Sequence, residues 1–210
     1  MRASLVVLHG YTMNAETMRE HMSALAQRLP AGMNVVYAPA PQTCSEGAVE
    51  RFYRGSSLAR LPPPYLTWWD ASDDGSEYRG WEETRDAVRA LVARHSPAGL
   101  LGFSQGAIVA AAVAATTERD ATSAPSFVVL VAGRTPRASA LEPYFREPVP
   151  VPSLHVWGRR DGMASGSREL SGRFKESTRE VVVWSGGHRV PGDGPGAEAI
   201  AAFVGRYARA

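Results

Sequence analysis

In the segment Gly102-Phe-Ser-Gln-Gly106 a serine stands between two glycines, directly after an apolar run and directly before an Ala/Val-rich one. That spacing suits a nucleophile on a sharp strand-to-helix turn: the serine is strained, and the glycines let the chain pass close to itself. The N–H of Gln105 then points at the same space and can stabilise an oxyanion. A hydroxyl needs a base, and His188, in Gly186-Gly-His-Arg-Val-Pro191, can take and return a proton because imidazole titrates near pH 6.5. Asp161, in Gly158-Arg-Arg-Asp-Gly162, would hold the imidazole in one tautomer and stabilise its charged form. The order Ser104, Asp161, His188 is the one expected when an elbow serine sits on a parallel sheet. Asp193 is the second candidate acid, whereas Asp70, Asp73 and Asp74 precede the serine. His9-Gly10 supplies the other half of an oxyanion site through the N–H of Tyr11, with the His9 side chain bracing the loop and the Thr12 hydroxyl as a further donor. His21 and His95 fall on helices and His155 within a strand, as surface or packing residues. Without the triad, the same Gly-rich turn would simply cap a helix.

The elements that must position these groups follow from periodicity. Ser4 to His9 reads as a strand buried on both faces. Met18, Met22, Leu25 and Leu29 mark a helical face that Pro30 to Gly32 ends, and Val35 to Ala38 is a second strand. Trp81, Val88, Leu91 and Val92 mark a further helix; the strand Gly99 to Phe103 and a helix from about Gly106 to Thr116 come next. Three more strands are predicted at Phe127 to Ala132, Ser153 to Trp157 and Glu180 to Trp184, with helices near Ser167 to Phe174 and Ala197 to Ala208. Alternating strands and helices imply an α/β fold with a mostly parallel sheet of about six strands and helices on both faces. From about 42 to 79 this pattern fails, and the aromatic, proline-rich segment reads as an irregular, lid-like insertion in one domain spanning 1–210.

Composition excludes several classes of function. The 210 residues carry 23 Lys and Arg against 21 Asp and Glu, a net charge of +2 that offers no broad phosphate-binding surface, so nucleic acid is not an expected partner. A single cysteine, Cys44, rules out an intramolecular disulfide and any cysteine-cluster metal site. No apolar run approaches the roughly 18 residues of a membrane span, and the run Leu5 to Leu8 is short for a secretory signal. A cytoplasmic protein is expected.

With these residues placed, the chain resembles the FSH-type serine hydrolases, small esterases and thioesterases with the α/β-hydrolase fold. The resemblance rests on Leu8-His-Gly-Tyr11, Ala38-Pro39, the Trp68-Trp69 pair, Gly102-Phe-Ser-Gln-Gly-Ala107 and Gly187-His-Arg-Val-Pro191. The elbow is shared with carboxylesterases and acyl-protein thioesterases; the tryptophan pair and the Gly-His-x-Val-Pro ending tilt toward the FSH type. The resemblance implies hydrolysis of a carboxylic ester or thioester through an acyl-serine intermediate, with no metal and no organic cofactor.

Substrate recognition is expected from the insertion, where Tyr65, Trp68, Trp69 and Tyr78 would form an apolar wall or else anchor the insertion to the body. Met163 and Val190, beside the proposed acid and base, would line the same pocket, and Arg159 and Arg160 are candidates for attracting an anionic group. Three functions remain open: an esterase for small-molecule acyl esters, a thioesterase releasing an acyl or polyketide-like product from an acyl carrier, and a non-hydrolytic binding protein.

Overall fold

The computed structural model describes residues 3–54, 59–116 and 125–208. In chain order it comprises β1 (Ser4–Leu8), α1 (Ala15–His21), α2 (Ser23–Ala26), β2 (Asn34–Ala38), β3 (Gln42–Thr43), α3 (Glu46–Tyr53), β4 (Leu66–Thr67), β5 (Asp70–Ala71) and β6 (Tyr78–Arg79). There follow α4 (Trp81–His95), β7 (Gly99–Phe103), α5 (Gln105–Thr116), β8 (Phe127–Val131), β9 (Ser153–Gly158), α6 (Ala164–Gly172), β10 (Arg179–Trp184) and α7 (Gly194–Tyr207), with 3-10 turns at Ser139–Phe145 and Glu176–Thr178. Six strands form one sheet in the order β10-β9-β8-β7-β1-β2, every neighbouring pair parallel. All six carboxyl ends therefore emerge along one edge, where open α/β sheets place their ligands.

The sheet is covered on both faces because its inner strands are apolar on both. Leu5, Val7, Leu101, Val129 and Val156 pack against Met18, Met22 and Leu25 of α1 and α2 and against Ile200 and Phe203 of α7. Val6, Leu8, Leu100, Val128 and Leu130 face the opposite way, onto Val88 and Val92 of α4 and the alanines of α5. Helix α5 is buried on every side from Gln105 to Ala114, which is why its sequence shows no polar stripe. No helix among the described residues is long and apolar enough to cross a membrane.

The predicted α/β architecture with six parallel strands is observed; two local expectations are corrected. The helix expected through Met18 to Leu29 breaks at Met22, which caps α1 and starts α2 while its side chain stays on the buried face. The insertion is less irregular than its prolines suggested: it holds α3, capped by the Ser45 hydroxyl on the Ala48 N–H, and two short antiparallel ladders, β3 with β4 and β5 with β6. Helix α3 buries only Val49, so no apolar stripe announced it.

Candidate active site

The turn after β7 has the backbone that the glycine spacing predicts. Ser104 has φ 53°, in the left-handed region that a side chain adopts only under constraint. The constraint is visible on both sides: a Cβ at Gly102 would lie 2.3 Å from the Gly106 carbonyl oxygen, and one at Gly106 would lie 2.3 Å from that of Leu8. Any larger residue would push the turn off β1. The Ser104 N–H donates to the Val131 carbonyl at 2.9 Å, which ties the elbow to β8.

Two other strand ends bring their loops to this turn. The Ser104 Oγ lies 3.0 Å from His188 Nε2, and His188 Nδ1 lies 3.0 and 3.1 Å from the two oxygens of Asp161. A carboxylate on Nδ1 accepts a hydrogen bond from Nδ1–H and so fixes the tautomer, leaving Nε2 free to accept from the serine hydroxyl. The Asp161 side chain is fully buried and also accepts the Met163 N–H at 2.8 Å, while the imidazole packs on the Phe103 ring. The acid and histidine loops are clipped together, since the Arg159 and Arg160 N–H groups donate to the Trp184 and Gly186 carbonyls. Gly158 permits this approach, because a Cβ there would sit 2.2 Å from the Gly186 oxygen. Asp193 is elsewhere, exposed at the N-cap of α7.

The N–H groups of Tyr11 and Gln105 have no acceptor among the described residues. The loop carrying Tyr11 is pinned from behind by the insertion. Thr12 N–H donates to the Leu66 carbonyl, Leu66 N–H returns a bond to Met13, and the Asn14 side chain donates to Pro64. His9 braces this loop as expected. Its Nδ1 bonds the Gly10 carbonyl at 2.8 Å, its Nε2 accepts the Ala40 N–H at 3.0 Å, and burial lowers its pKa to about 4, so it stays neutral. The Thr12 hydroxyl is already committed to the Tyr11 carbonyl and lies 3.3 Å from the Tyr53 hydroxyl, so it is no additional donor to the site.

Gln105 does more than its backbone suggested. Its side chain accepts from Trp68 N–H, donates to the Trp69 carbonyl and exchanges hydrogen bonds with Thr67, so the residue after Ser104 holds the insertion down. Trp68 is fully buried, its indole N–H donating to the His9 carbonyl at 2.8 Å and its ring lying on the His9 ring. The expectation that Trp68 walls the substrate is therefore corrected: it bridges the insertion to the loop that carries Tyr11. Val190 is likewise a core residue, with its N–H given to His21 Nε2 at 3.2 Å. Trp69 and Met163 do reach open space beside Ser104.

Ser104 stands where two clefts meet. One, of about 520 Å³, is largely apolar and lies over His188, bounded by Met13, Phe52, Tyr53, Leu61 and Phe103. The other, of about 530 Å³, lies over Gln105 and carries Arg51, Asp70, Asp73 and Arg134 beside Trp69 and Ile108. Arg159 and Arg160 line neither, and the Arg160 side chain is spent on the Ser185 carbonyl. Periodicity missed Phe52, Tyr53, Arg134 and the cleft position of His21, because nothing local marks a residue that reaches the site from a distant element.

A family model described as Serine hydrolase (FSH1) matches residues 2–200. Esterase OVCA2 of Bos taurus is 30% identical, with 97% of this chain and 96% of that protein aligned. Esterase CG5412 of Drosophila melanogaster is 29% identical over 90% of this chain and 69% of its own. Among solved structures, Arabidopsis thaliana SOBER1 superposes with a TM-score of 0.70 at 16% identity, covering 99% of both chains. Zea mays acyl-protein thioesterase 2 gives 0.67 at 21%, covering 99% of this chain and 94% of that one. The structural likenesses carry the fold, and the sequence match over nearly the whole chain carries the family: this chain belongs to the FSH1 family of serine hydrolases.

Proposed function

We propose that the chain is an esterase that cleaves carboxylic esters through an acyl-serine intermediate, with Ser104 as nucleophile, His188 as general base and acid, and Asp161 as the orienting acid. The observation that carries this is the continuous hydrogen-bonded line from Ser104 Oγ through both nitrogens of His188 to a buried carboxylate. In the first half-reaction Ser104 Oγ bonds the ester carbonyl carbon as its proton passes to His188 Nε2. The carbonyl oxygen becomes an oxyanion that takes the free N–H groups of Tyr11 and Gln105. Collapse breaks the carbon–oxygen bond to the leaving group, which departs as alcohol with the proton from His188. In the second half-reaction water gives a proton to His188 and bonds the acyl carbon; release of the acid returns that proton to Ser104. Because the Asp161 carboxylate is buried and already holds Nδ1–H, the imidazolium formed twice in this cycle needs little reorganisation.

A thioester would pass through the same steps with a thiol leaving. The curated relatives named above carry the name esterase, and the maize neighbour the name acyl-protein thioesterase, so both substrate types belong in the test. A fluorophosphonate is expected to add once to the folded protein, at Ser104, by intact-mass and peptide analysis, and Ser104→Ala is expected to stay unmodified. Absence of an adduct on the folded protein defeats the hydrolase reading. Matched hexanoyl ester and thioester substrates then rank the two leaving groups.

A further inference from the structure

The two clefts at Ser104 differ in charge, and the chemistry proposed above decides which part of the substrate enters each. His188 must hand its proton to the leaving group, so the leaving group lies on the His188 side, over the apolar cleft. The acyl chain then runs the other way, past Gln105 and Ile108, into the cleft that Arg134 lines. Arg134 is half-buried and, among the described residues, has no carboxylate within ion-pair distance. Its charged neighbour is Arg137 and its polar neighbour the Tyr78 hydroxyl; burial first, and then Arg137, lower the affinity of Arg134 for its proton, though it remains a cation. Neither carboxylate of the same cleft lies within ion-pair distance of Arg134. Asp70 is bound by Arg79 at 2.9 Å, and Asp73 is exposed on the turn beyond it. Arg51, also unpaired among the described residues, adds a second cation from α3. The rest of the lining near Ser104, including Trp69, Ile108 and Met163, suits methylene groups.

We infer that Arg134 reads an anionic group at the far end of the acyl chain, so that the preferred substrates are monoesters of dicarboxylic acids rather than esters of simple fatty acids. This rests on the esterase reading only for the direction in which the acyl chain lies; occupancy of the cleft needs no turnover. The test is therefore calorimetric, on the full chain carrying Ser104→Ala. Ethyl hydrogen adipate is expected to bind about tenfold more tightly than ethyl hexanoate at low salt, as a charge-assisted bond to a half-buried guanidinium allows. The ratio should fall toward one in Arg134→Gln, recover in part in Arg134→Lys, and shrink as salt rises. Equal affinities for the two esters in the protein that keeps Arg134, or a ratio unaffected by Arg134→Gln, would overturn the inference. Tighter binding of carboxymethyl hexanoate, whose carboxylate sits on the alcohol side, would overturn it as well by placing the anion in the leaving group. A failed fluorophosphonate reaction would count against the hydrolase reading and leave this binding ratio interpretable.

Discussion

The two sides of the site are held by different kinds of structure. On one side Ser104 directly follows β7 while Asp161 and His188 sit a few residues past β9 and β10 of the same parallel sheet, and the register of β7, β8, β9 and β10 carries them together. On the other side the Tyr11 loop, the insertion and Gln105 at the start of α5 hold one another through individual hydrogen bonds between residues far apart in the chain. These are Trp68 to His9, Gln105 to Thr67, Trp68 and Trp69, and Thr12 to Leu66. Substitutions on the two sides should therefore separate chemistry from folding to different degrees. Among the described residues the Ser104 and His188 side chains bond only within their own hydrogen-bonded line, whereas Gln105 both lines the cleft at Ser104 and ties the insertion down with its side chain.

The largest effect should come from the sheet side. Ser104→Ala is expected to lower kcat by about 10⁴-fold or more while the thermal midpoint holds, since the residue keeps its small size; activity above a few per cent would place the nucleophile elsewhere. Asp161→Asn comes next, with a loss of about 10²–10⁴-fold in kcat, because an amide can no longer both accept from Nδ1–H and stabilise the imidazolium. Near-normal turnover would shift the acid to Asp193.

On the insertion side the losses should be smaller and coupled. Gln105→Ala leaves the buried Trp68 N–H without its acceptor and takes away one of the two donors to the Trp69 carbonyl, the other being the Thr67 hydroxyl. It is expected to cost about 2 kcal/mol in denaturant unfolding together with a tenfold fall in kcat. A fall in kcat at unchanged stability would break the contrast between the two sides.

Acid should load both sides at once, since one buried histidine lies in each, His9 before the Tyr11 loop and His155 in β9. His9 and His155 are buried and held neutral, with pKa values lowered to about 4 and about 3, chiefly by burial. The unfolded chain binds protons at these positions from about pH 6.5 downward and the folded chain does not. Their contribution is thus full above pH 6.5 and is lost as pH falls toward 4 and below, on the order of a few kcal/mol in sum. Unfolding free energies at pH 7 and pH 5 check this, with His155→Gln expected to flatten the slope. The smallest effect is reserved for His21, which accepts the Val190 N–H just beyond His188. His21→Ala should lower kcat about threefold and His21→Gln, whose amide oxygen can accept the same bond, should restore it.

How much was legible varied by element. The strands Gly99 to Phe103 and Phe127 to Val131 stand out because buried parallel strands are continuous apolar runs, and each was followed by an unmistakable break. Helix α3 left no such trace, with one buried residue in two turns. Trp68 was legible as important but not in its role. An aromatic residue in a loop faces substrate or packs inward according to what lies beneath it, and beneath Trp68 lies His9, 59 residues away.

Local sequence carries the candidate catalytic residues and the class of fold, because backbone strain at Ser104, the need for small residues beside it and strand periodicity are properties of neighbouring residues. Which face each side chain presents follows from the packed fold. It turned Trp68 and Val190 into the core, brought Arg134 and His21 to the clefts, and made Gln105 the tie between elbow and insertion. The physical reason is that burial and hydrogen-bond partnership are set by chain segments that meet only when the sheet closes, and no window of sequence contains both members of such a pair.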